Sequence, residues 1–226
     1  MSSVDQSLAV IFDMDGVLID SVRLNWQAMN QVLVPYGVNV SDEAVKRYLG
    51  RTLKDQVTML NQDYRLQLDY REFSEATQVI KRGLFALLEP KEGVKELLRQ
   101  LKSAGIATAV ATSMPRDMTE QRLQTAGIID HFDVLVTEED VAKHKPEPDV
   151  FVKAAELLAM PSSGCVVFED APAGLLAAKA AKIQCIAVQT PYVNASDLVQ
   201  TDLQVATLKQ VAISQLRQLV APKPLA

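Results

Sequence analysis

Cysteine and histidine are scarce in this sequence, which has two of each among 226 residues. Both cysteines, Cys165 and Cys185, lie within apolar runs. Buried reduced thiols explain that placement more simply than a disulfide or a metal site. So few histidines exclude a zinc cluster built on imidazoles, and His144 is expected to be structural or exposed.

Long apolar runs and an excess of positive charge are also missing. No apolar stretch reaches the roughly 18 residues of a membrane span, so none is expected. The formal net charge of −5 argues against a nucleic-acid partner, although a locally positive pocket can still bind a small phosphate. The N-terminus, MSSVDQSLAVIFD, lacks the basic start and apolar core of a secretion signal, so we expect a cytoplasmic protein. A monomer is the default expectation.

The composition is that of an ordinary folded protein, 48% hydrophobic and 23% charged. Short apolar runs bounded by turn residues predict buried strands over residues 8–12, 106–112, 132–137, 165–170 and 184–188. Helical spacing between these runs predicts helices over residues 93–104, 115–126, 148–159 and 171–181. Strands that alternate with helices indicate an α/β fold with a parallel sheet covered on both faces.

Helical sequence interrupts this alternation after the first predicted strand. Helices are predicted over residues 25–34, over 41–50 and, with less definite bounds, up to residue 88. We therefore predict a core of residues 1–19 and 88–226 and an inserted all-helical cap of residues 20–87. An insertion at this point lies over the carboxyl ends of the strands, where open α/β folds bind their ligands.

The first polar segment at the end of a predicted strand is Asp13-Met14-Asp15-Gly16. Its two carboxylates can point into one crevice. Asp13 can attack phosphorus to form an aspartyl-phosphate, and Asp15 can protonate the leaving group and later deprotonate water. Like charge at close range raises the pKa of one carboxyl, which suits an acid. The alternative is a solvated acidic turn that caps a helix.

Two further polar segments follow predicted strands. Thr112 and Ser113 offer a hydroxyl and a backbone N–H that can hold phosphate oxygens, although such a pair more often forms a turn or a helix cap. Lys145, within Lys143-His144-Lys145-Pro146, offers an ammonium suited to the charge of a transferring phosphoryl group. An exposed basic loop is the alternative for this segment.

The fourth segment, Glu169-Asp170, ends the apolar run CVVF. Carboxylates at the end of a buried strand need a partner, and oxygen ligands without nearby Cys or His indicate Mg²⁺. The metal would offset repulsion among Asp13, Asp15 and Asp170. Alternatively, or in addition, Asp170 is the N-cap of the next helix. Four such segments at four strand ends together indicate a phosphoryl-transfer site.

Taken together, these segments resemble the haloacid dehalogenase superfamily, and most of all its beta-phosphoglucomutase-like phosphatase branch. The resemblance covers nearly the whole chain and is carried by FDMDGVLIDS, VATS, HKPEPDVF and FEDAPAGLLAAKAA. It implies a Rossmann-like core with a helical cap that closes over the substrate.

The resemblance also implies a role for each residue. Asp13 would be the nucleophile and a Mg²⁺ ligand, and Asp15 the general acid/base that binds Mg²⁺ through its backbone carbonyl. Asp170, with Glu169, would complete the metal site. Thr112, with the N–H of Ser113, would hold the phosphoryl oxygens, and Lys145 would bridge the nucleophile and the phosphate.

Differences from the motifs of related enzymes help to choose among dehalogenase, mutase and phosphatase activity. Dehalogenases of the superfamily lack the second aspartate of the first motif, so Asp15 favours phosphate chemistry. Related sugar-phosphate mutases carry His and Trp where this chain has Asn25 and Met29, which favours hydrolysis over mutase activity. Arg51 lies where mutases place a substrate-contacting arginine, so Asn25 and Arg51 are candidate substrate-binding residues. A solvated helix-end arginine is the alternative for Arg51.

The sequence therefore predicts a Mg²⁺-dependent phosphatase that acts on a small phosphorylated metabolite through an aspartyl-phosphate, with sugar phosphates favoured. A beta-phosphoglucomutase-type sugar-phosphate mutase is the alternative. A non-catalytic binding protein on the same fold is a third reading, which the complete catalytic set disfavours.

Overall fold

The computed structural model of this chain describes residues 8–49, 51–198 and 201–221. Residues 1–7, which contribute to the predicted absence of a secretion signal, and Gly50, the predicted end of a helix, lie outside the described residues. The chain divides into two compact units. We call them the core unit (Met1–Asp20 with Glu89–Ala226) and the helical unit (Ser21–Leu88).

Both unit boundaries lie one residue beyond those predicted, because the two chain segments that connect the units pair with each other. Ile19 forms β-bridges to Asp15 and to Pro90. The amide of Lys91 donates to the carbonyl of Leu18 at 2.9 Å. The chain therefore leaves the core unit only after these pairings and returns to it just before them.

A six-stranded parallel sheet lies at the centre of the described part of the core unit, in the order β3-β2-β1-β4-β5-β6. Its strands are β1 (Ala9–Phe12), β2 (Ala107–Ala111), β3 (Val134–Val136), β4 (Cys165–Glu169), β5 (Gln184–Val188) and β6 (Leu203–Val205). The predicted parallel α/β sheet is confirmed. The sequence did not predict β6, because three residues are too few to form a recognisable apolar run.

The central place of β1 positions the site. The chain continues from β1 to β2 on one side, whereas β4 pairs with β1 on the other side. In open α/β sheets, a crevice forms at the carboxyl ends of the strands where the order reverses in this way. The segments that follow β1, β2 and β4 therefore meet at one edge of the sheet.

Helices cover both faces of the sheet. The described α-helices are α1 (Ser21–Leu33), α2 (Asp42–Val45), α3 (Leu53–Tyr64), α4 (Tyr70–Phe85), α5 (Val94–Ser103), α6 (Arg116–Thr125), α7 (Asp149–Leu157), α8 (Pro172–Ala180) and α9 (Ile213–Val220). Helices α7 and α8 share one buried apolar cluster with alternate residues of the strands, such as Ile11 and Val167. Helices α5 and α9 contact β2 and β4 without joining that cluster, so they lie on the opposite face.

The helical unit consists of α1 to α4, in which α4 packs on both α1 and α3. The predicted start of the helix over residues 41–50 is confirmed, because Ser41 is the N-cap of α2, whereas its predicted end is wrong, because α2 ends at Val45. Tyr48 explains the early end: its ring packs on Trp26 at 5.1 Å, and its hydroxyl donates to Asp63 Oδ2 at 2.6 Å. These tertiary contacts favour a turn over a longer helix.

No α-helix in the described ranges combines the length and the apolar character that crossing a membrane requires.

The aromatic stack beneath the site gives a test of the fold. Phe12 is fully buried, stacks on Phe168 at 5.0 Å and meets the edge of Phe132 at 6.0 Å. Phe12→Ala should therefore lower the free energy of unfolding by about 3–5 kcal/mol, measured by urea denaturation. The control, Leu157→Ala, truncates an apolar side chain that is 51% exposed and should cost less than about 1 kcal/mol. Equal losses in the two variants would contradict the proposed packing.

Candidate active site

The predicted site residues of the core unit meet at the carboxyl edge of the sheet. Phe12 pairs in register with Val110 of β2 and Phe168 of β4, and the amide of Asp13 donates to the carbonyl of Phe168 at 2.9 Å. This register brings the three strand ends level with one another. The residues line a cavity of about 330 Å³: Asp13, Asp15, Thr112, Ser113, Lys145, Glu169 and Asp170.

Lys145 lies between two carboxylates. Its Nζ donates to Asp13 Oδ1 at 2.5 Å, to Glu169 Oε1 at 2.8 Å and to the carbonyl of Ala111 at 3.3 Å. Its side chain is 9% exposed, so the alternative of an exposed basic loop is wrong for this residue. Burial alone lowers the pKa of Lys145, but the Asp13 and Glu169 carboxylates outweigh burial and hold this pKa above its ordinary value. Lys145 is therefore a fixed ammonium beside the predicted nucleophile.

Both carboxylate oxygens of Glu169 accept hydrogen bonds from residues of the core unit. Oε1 accepts from Lys145, and Oε2 accepts from the amides of Asp170 at 2.6 Å and Ala171 at 2.7 Å. A Cβ atom added at Gly174 would lie 1.7 Å from Oε1, so the first turn of α8 also confines this carboxylate. These contacts favour a role in orienting Lys145 over the predicted role in binding metal.

Asp13 and Asp170 are buried carboxylates of like charge. Burial raises the pKa of Asp13 to about 8, with Lys145 lowering it and Glu169 raising it further. Burial also raises the pKa of Asp170 well above its usual range, and the Glu169 and Asp13 carboxylates add to the rise. The side chain of Asp170 accepts no hydrogen bond from any described residue. The alternative that Asp170 caps α8 is wrong, because the N-cap residue is Ala171.

Gly16 allows the Asp170 carboxylate to approach the loop after β1. Its φ of 91° lies in the region that favours glycine, and an added Cβ atom would lie 1.9 Å from Asp170 Oδ2. The carbonyl of Gly16 accepts a hydrogen bond from Lys91 Nζ. Burial lowers the pKa of Lys91, whereas the nearby Asp170 and Asp20 carboxylates raise it. Sequence reasoning missed Lys91, because nothing in its local sequence distinguishes it from a surface lysine.

Arg122 of α6 is the side-chain partner of Asp15. Its Nη1 donates to Asp15 Oδ1 at 2.8 Å, and the arginine is 8% exposed. Sequence reasoning also missed this residue. A signal existed, however: Arg122 falls at helical spacing between the buried residues Thr119 and Leu123, where an apolar side chain is expected.

Thr112 and Ser113 follow β2. Thr112 is buried, its amide donates to the carbonyl of Val136 at 3.0 Å, and its Oγ1 accepts from the amide of Met114 at 3.3 Å. The amide of Ser113 donates to no described residue. The Thr112 hydroxyl and the Ser113 amide therefore both remain able to donate to an oxyanion in the cavity that these residues line.

The donor set fits a hard cation. No group of three or more Cys, His, Asp or Glu side chains within residues 8–49, 51–198 and 201–221 is arranged as a metal site. The ion pairs explain this, since Asp15 is bonded to Arg122 and Glu169 to Lys145. Asp13 is also bonded to Lys145, but through Oδ1, so its Oδ2 and the carboxylate of Asp170 remain, together with carbonyl oxygens of the loop after β1. Such an all-oxygen set with uncompensated negative charge suits Mg²⁺.

Of the two substrate-binding residues predicted in the helical unit, Asn25 lines a cavity and Arg51 does not. Asn25 lines a cavity of about 270 Å³ with Gln56, Thr77 and Lys81, among others. The Oδ1 atom of Asn25 and the Oγ1 atom of Thr77 are buried and have no hydrogen-bond partner among the described residues. Arg51 is exposed and does not line this cavity.

Comparison with known proteins places the chain. The profile of the haloacid dehalogenase-like hydrolase family matches residues 10–188, which span every site segment of the core unit. The chain belongs to the haloacid dehalogenase-like hydrolase family. The predicted family, the Rossmann-like α/β fold and the enzyme class of phosphoric monoester hydrolase are confirmed.

Individual relatives within this haloacid dehalogenase-like family are phosphatases by name. Validoxylamine A 7'-phosphate phosphatase of Streptomyces hygroscopicus subsp. limoneus is 33% identical over 89% of this chain and 94% of that protein. The phosphorylated carbohydrates phosphatase of Thermotoga maritima is 34% identical over 79% and 83% of the two chains. A solved Thermotoga maritima structure, described provisionally as a beta-phosphoglucomutase, has a TM-score of 0.76 and 30% identity over 89% and 95%.

The electrostatics of this haloacid dehalogenase-like site give a test in metal-free solution. Folding raises the pKa of Asp170, so the folded protein binds the proton of this carboxyl more tightly than the unfolded chain does. The resulting stability is fully present below the pKa that Asp170 has in the unfolded chain. It is lost as the pH rises through the pKa that Asp170 has in the folded protein. Asp170→Asn should therefore raise the free energy of unfolding by about 1–2 kcal/mol at pH 8. The gain should vanish near pH 4.

Denaturation at the two pH values in the presence of a chelator measures this effect. Asp130→Asn is the control, because it neutralises an exposed carboxylate of the same unit. It should change the free energy of unfolding by less than about 0.5 kcal/mol at either pH. A loss of stability in Asp170→Asn at pH 8 would show that the carboxylate is compensated in the metal-free protein.

Proposed function

We propose that this chain is a Mg²⁺-dependent phosphatase that hydrolyses a small phosphorylated metabolite, with a sugar phosphate favoured, through an aspartyl-phosphate on Asp13. The observation that carries the proposal is the pairing of Asp13 with Lys145 inside a cavity lined also by Thr112 and Ser113. A nucleophilic carboxylate and three groups able to bind phosphoryl oxygens thus share one space. Relatives named for validoxylamine A 7'-phosphate and for phosphorylated carbohydrates support the substrate class.

In the first step, a carboxylate oxygen of Asp13 forms a bond to phosphorus as the bond from phosphorus to the ester oxygen breaks. The departing oxygen takes a proton from the carboxyl group of Asp15. Negative charge spreads over the transferring phosphoryl oxygens, and the Lys145 ammonium, the Thr112 hydroxyl and the Ser113 amide can bind them. The products are the free alcohol and aspartyl-phosphate.

In the second step, Asp15, now a carboxylate, takes a proton from water while the water oxygen bonds to phosphorus. The bond between phosphorus and Asp13 breaks, which restores the nucleophile and yields inorganic phosphate. One residue thus serves as acid and then as base. This cycle requires the proton on Asp15 to be replaced by the one taken from water.

Asp13 must be ionised to attack, although burial raises its pKa to about 8 in the metal-free chain. Asp13, Asp170 and the backbone carbonyl of Asp15 would hold Mg²⁺, whose charge favours the carboxylate form and attracts the phosphate. Glu169 would contribute by holding Lys145 in place. Lys145 in turn lies beside the attacking carboxylate and partly offsets its charge.

Asp13→Asn tests the nucleophile. The amide cannot form the phosphoryl-enzyme, so phosphate release from a panel of sugar, polyol, nucleotide and short-acid phosphates with Mg²⁺ should fall by about 10³-fold or more. Chelation should abolish release in the unaltered protein, and added Mg²⁺ should restore it. Asp117→Asn, on an exposed position of α6, is the control and should retain full activity. Release by Asp13→Asn at the rate of the control would contradict the proposal.

Hydrolysis and mutase activity differ in the fate of the phosphoryl group. In water enriched in ¹⁸O, hydrolysis of a sugar phosphate should release phosphate that carries one ¹⁸O atom, because water attacks phosphorus in the second step. A mutase should instead interconvert hexose 1- and 6-phosphates when a bisphosphate is added, with little release of phosphate. Mass spectrometry of phosphate and chromatography of the sugars distinguish the two. Isomerised sugar phosphate as the main product would support the mutase alternative.

A further inference from the structure

Asp15 is held by one oxygen only. Arg122 Nη1 donates to Oδ1 at 2.8 Å, and the other carboxylate oxygen, Oδ2, has no hydrogen-bond partner among the described residues. The side chain of Asp15 is 26% exposed and lines the cavity at the strand ends. One oxygen is thus anchored while the other remains available for a proton.

The anchor is a buried side chain on a helix. Arg122 lies in the second half of α6, and its side chain is 10% exposed. The same helix begins at Arg116, directly after the segment that contains Thr112 and Ser113. The helix that fixes Asp15 therefore continues from the segment that is proposed to bind the phosphoryl oxygens.

Core packing alone does not account for an arginine at this position. The flanking inward positions of α6, Thr119 and Leu123, are both fully buried. A guanidinium removed from water is costly unless a carboxylate or another acceptor compensates it, and an apolar side chain of similar size avoids that cost. The contact with Asp15 gives the arginine a use that an apolar residue could not provide.

We propose that Arg122 is a positioning residue for the proton transfers of Asp15. By binding Oδ1, the guanidinium restricts the rotation of the carboxyl group and keeps Oδ2 as the oxygen that gives and takes the proton. Arg122 does not line the cavity at the strand ends, so its role is to act through Asp15. This inference rests on the proposed function, because it assigns a purpose to the acid/base role of Asp15.

Two substrates whose leaving groups differ in their need for a proton can show whether Arg122 positions Asp15 or only supports the structure of the site. An alkyl phosphate releases a strongly basic alkoxide that must be protonated as it departs, whereas 4-nitrophenyl phosphate releases a weakly basic phenolate that departs without help. Loss of correct positioning should therefore slow formation of the aspartyl-phosphate from the alkyl ester far more than from the aryl ester. General damage to the site should slow both reactions equally.

Arg122→Met is the main variant, because it keeps an unbranched side chain and removes every donor. In single-turnover experiments, aspartyl-phosphate formation from a sugar phosphate should slow by about 10- to 100-fold, whereas the burst of nitrophenolate should change by less than about threefold. Arg122→Lys, which restores one cationic donor, should recover part of the loss on the sugar phosphate.

Arg116→Met is the matched control on the same helix. Arg116 also forms an ion pair, with Asp140 Oδ2 at 2.6 Å, but it does not line the site cavity. Its loss should leave the rates on both substrates within about twofold of the unaltered protein. Thermal unfolding of each variant shows whether the protein is folded.

A double-mutant cycle that combines changes at Arg122 with Asp15→Asn completes the test. If Arg122→Met folds poorly, Arg122→Lys takes its place in the cycle. If Arg122 acts through Asp15, changing Arg122 in the Asp15→Asn background should cause no further loss on the sugar phosphate. Equal losses on both substrates, no loss on either, or losses that add in the cycle would each overturn the proposal. Failure of the proposed function is distinguishable, because the unaltered protein would then release phosphate from neither ester.

Discussion

Burial of negative charge at the carboxyl ends of β1 and β4 is the constraint on which the site depends. A carboxylate removed from water must be paired or neutralised, and several lie here within one cavity. Each nearby cation interacts with a different carboxylate or pair of carboxylates. Lys145 serves Asp13 and Glu169, Arg122 serves Asp15, and Lys91 lies near Asp170. The ion pairs leave Asp13 and Asp170 with more negative charge than the protein compensates, which is where a hard cation fits.

This arrangement places stability and chemistry in opposition. The apolar strands and the stacked rings of Phe12 and Phe168 form a fully buried layer beneath the site. This packing and the register of the strands keep the strand ends level even though like charges lie beside them. A site of this kind is preorganised, since the charges do not have to move together when a phosphate arrives. The core packing thus offsets an electrostatic cost that has its use only when substrate and cation are bound.

The sequence predicts which residues of the core unit line this cavity, because three of the four segments lie at the end of a recognisable buried run and Lys145 follows another run after a short connection. A parallel sheet brings the ends of such runs to one edge, so four short segments suffice to locate the cavity. Lys91 and Arg122 escape this reasoning, since their importance comes from contacts with residues that are distant in the chain. The same limit explains Glu169, which the sequence predicts as a metal ligand although its oxygens bind Lys145 and backbone amides. Composition identifies a carboxylate, but only the fold decides which cation it faces.

The pairing of Ile19 with Pro90 has a consequence for how this protein diversifies. Because the outgoing and returning segments form a bridge to each other, the two ends of the inserted helices lie side by side. A tight turn is therefore long enough to join them, and the core unit can accept inserts of very different length at this point without disturbing β1. The site residues of the core unit can then stay the same while the inserted helical unit is exchanged. Changes in the length or sequence of the inserted helices therefore need not alter the strand ends at which the site residues lie.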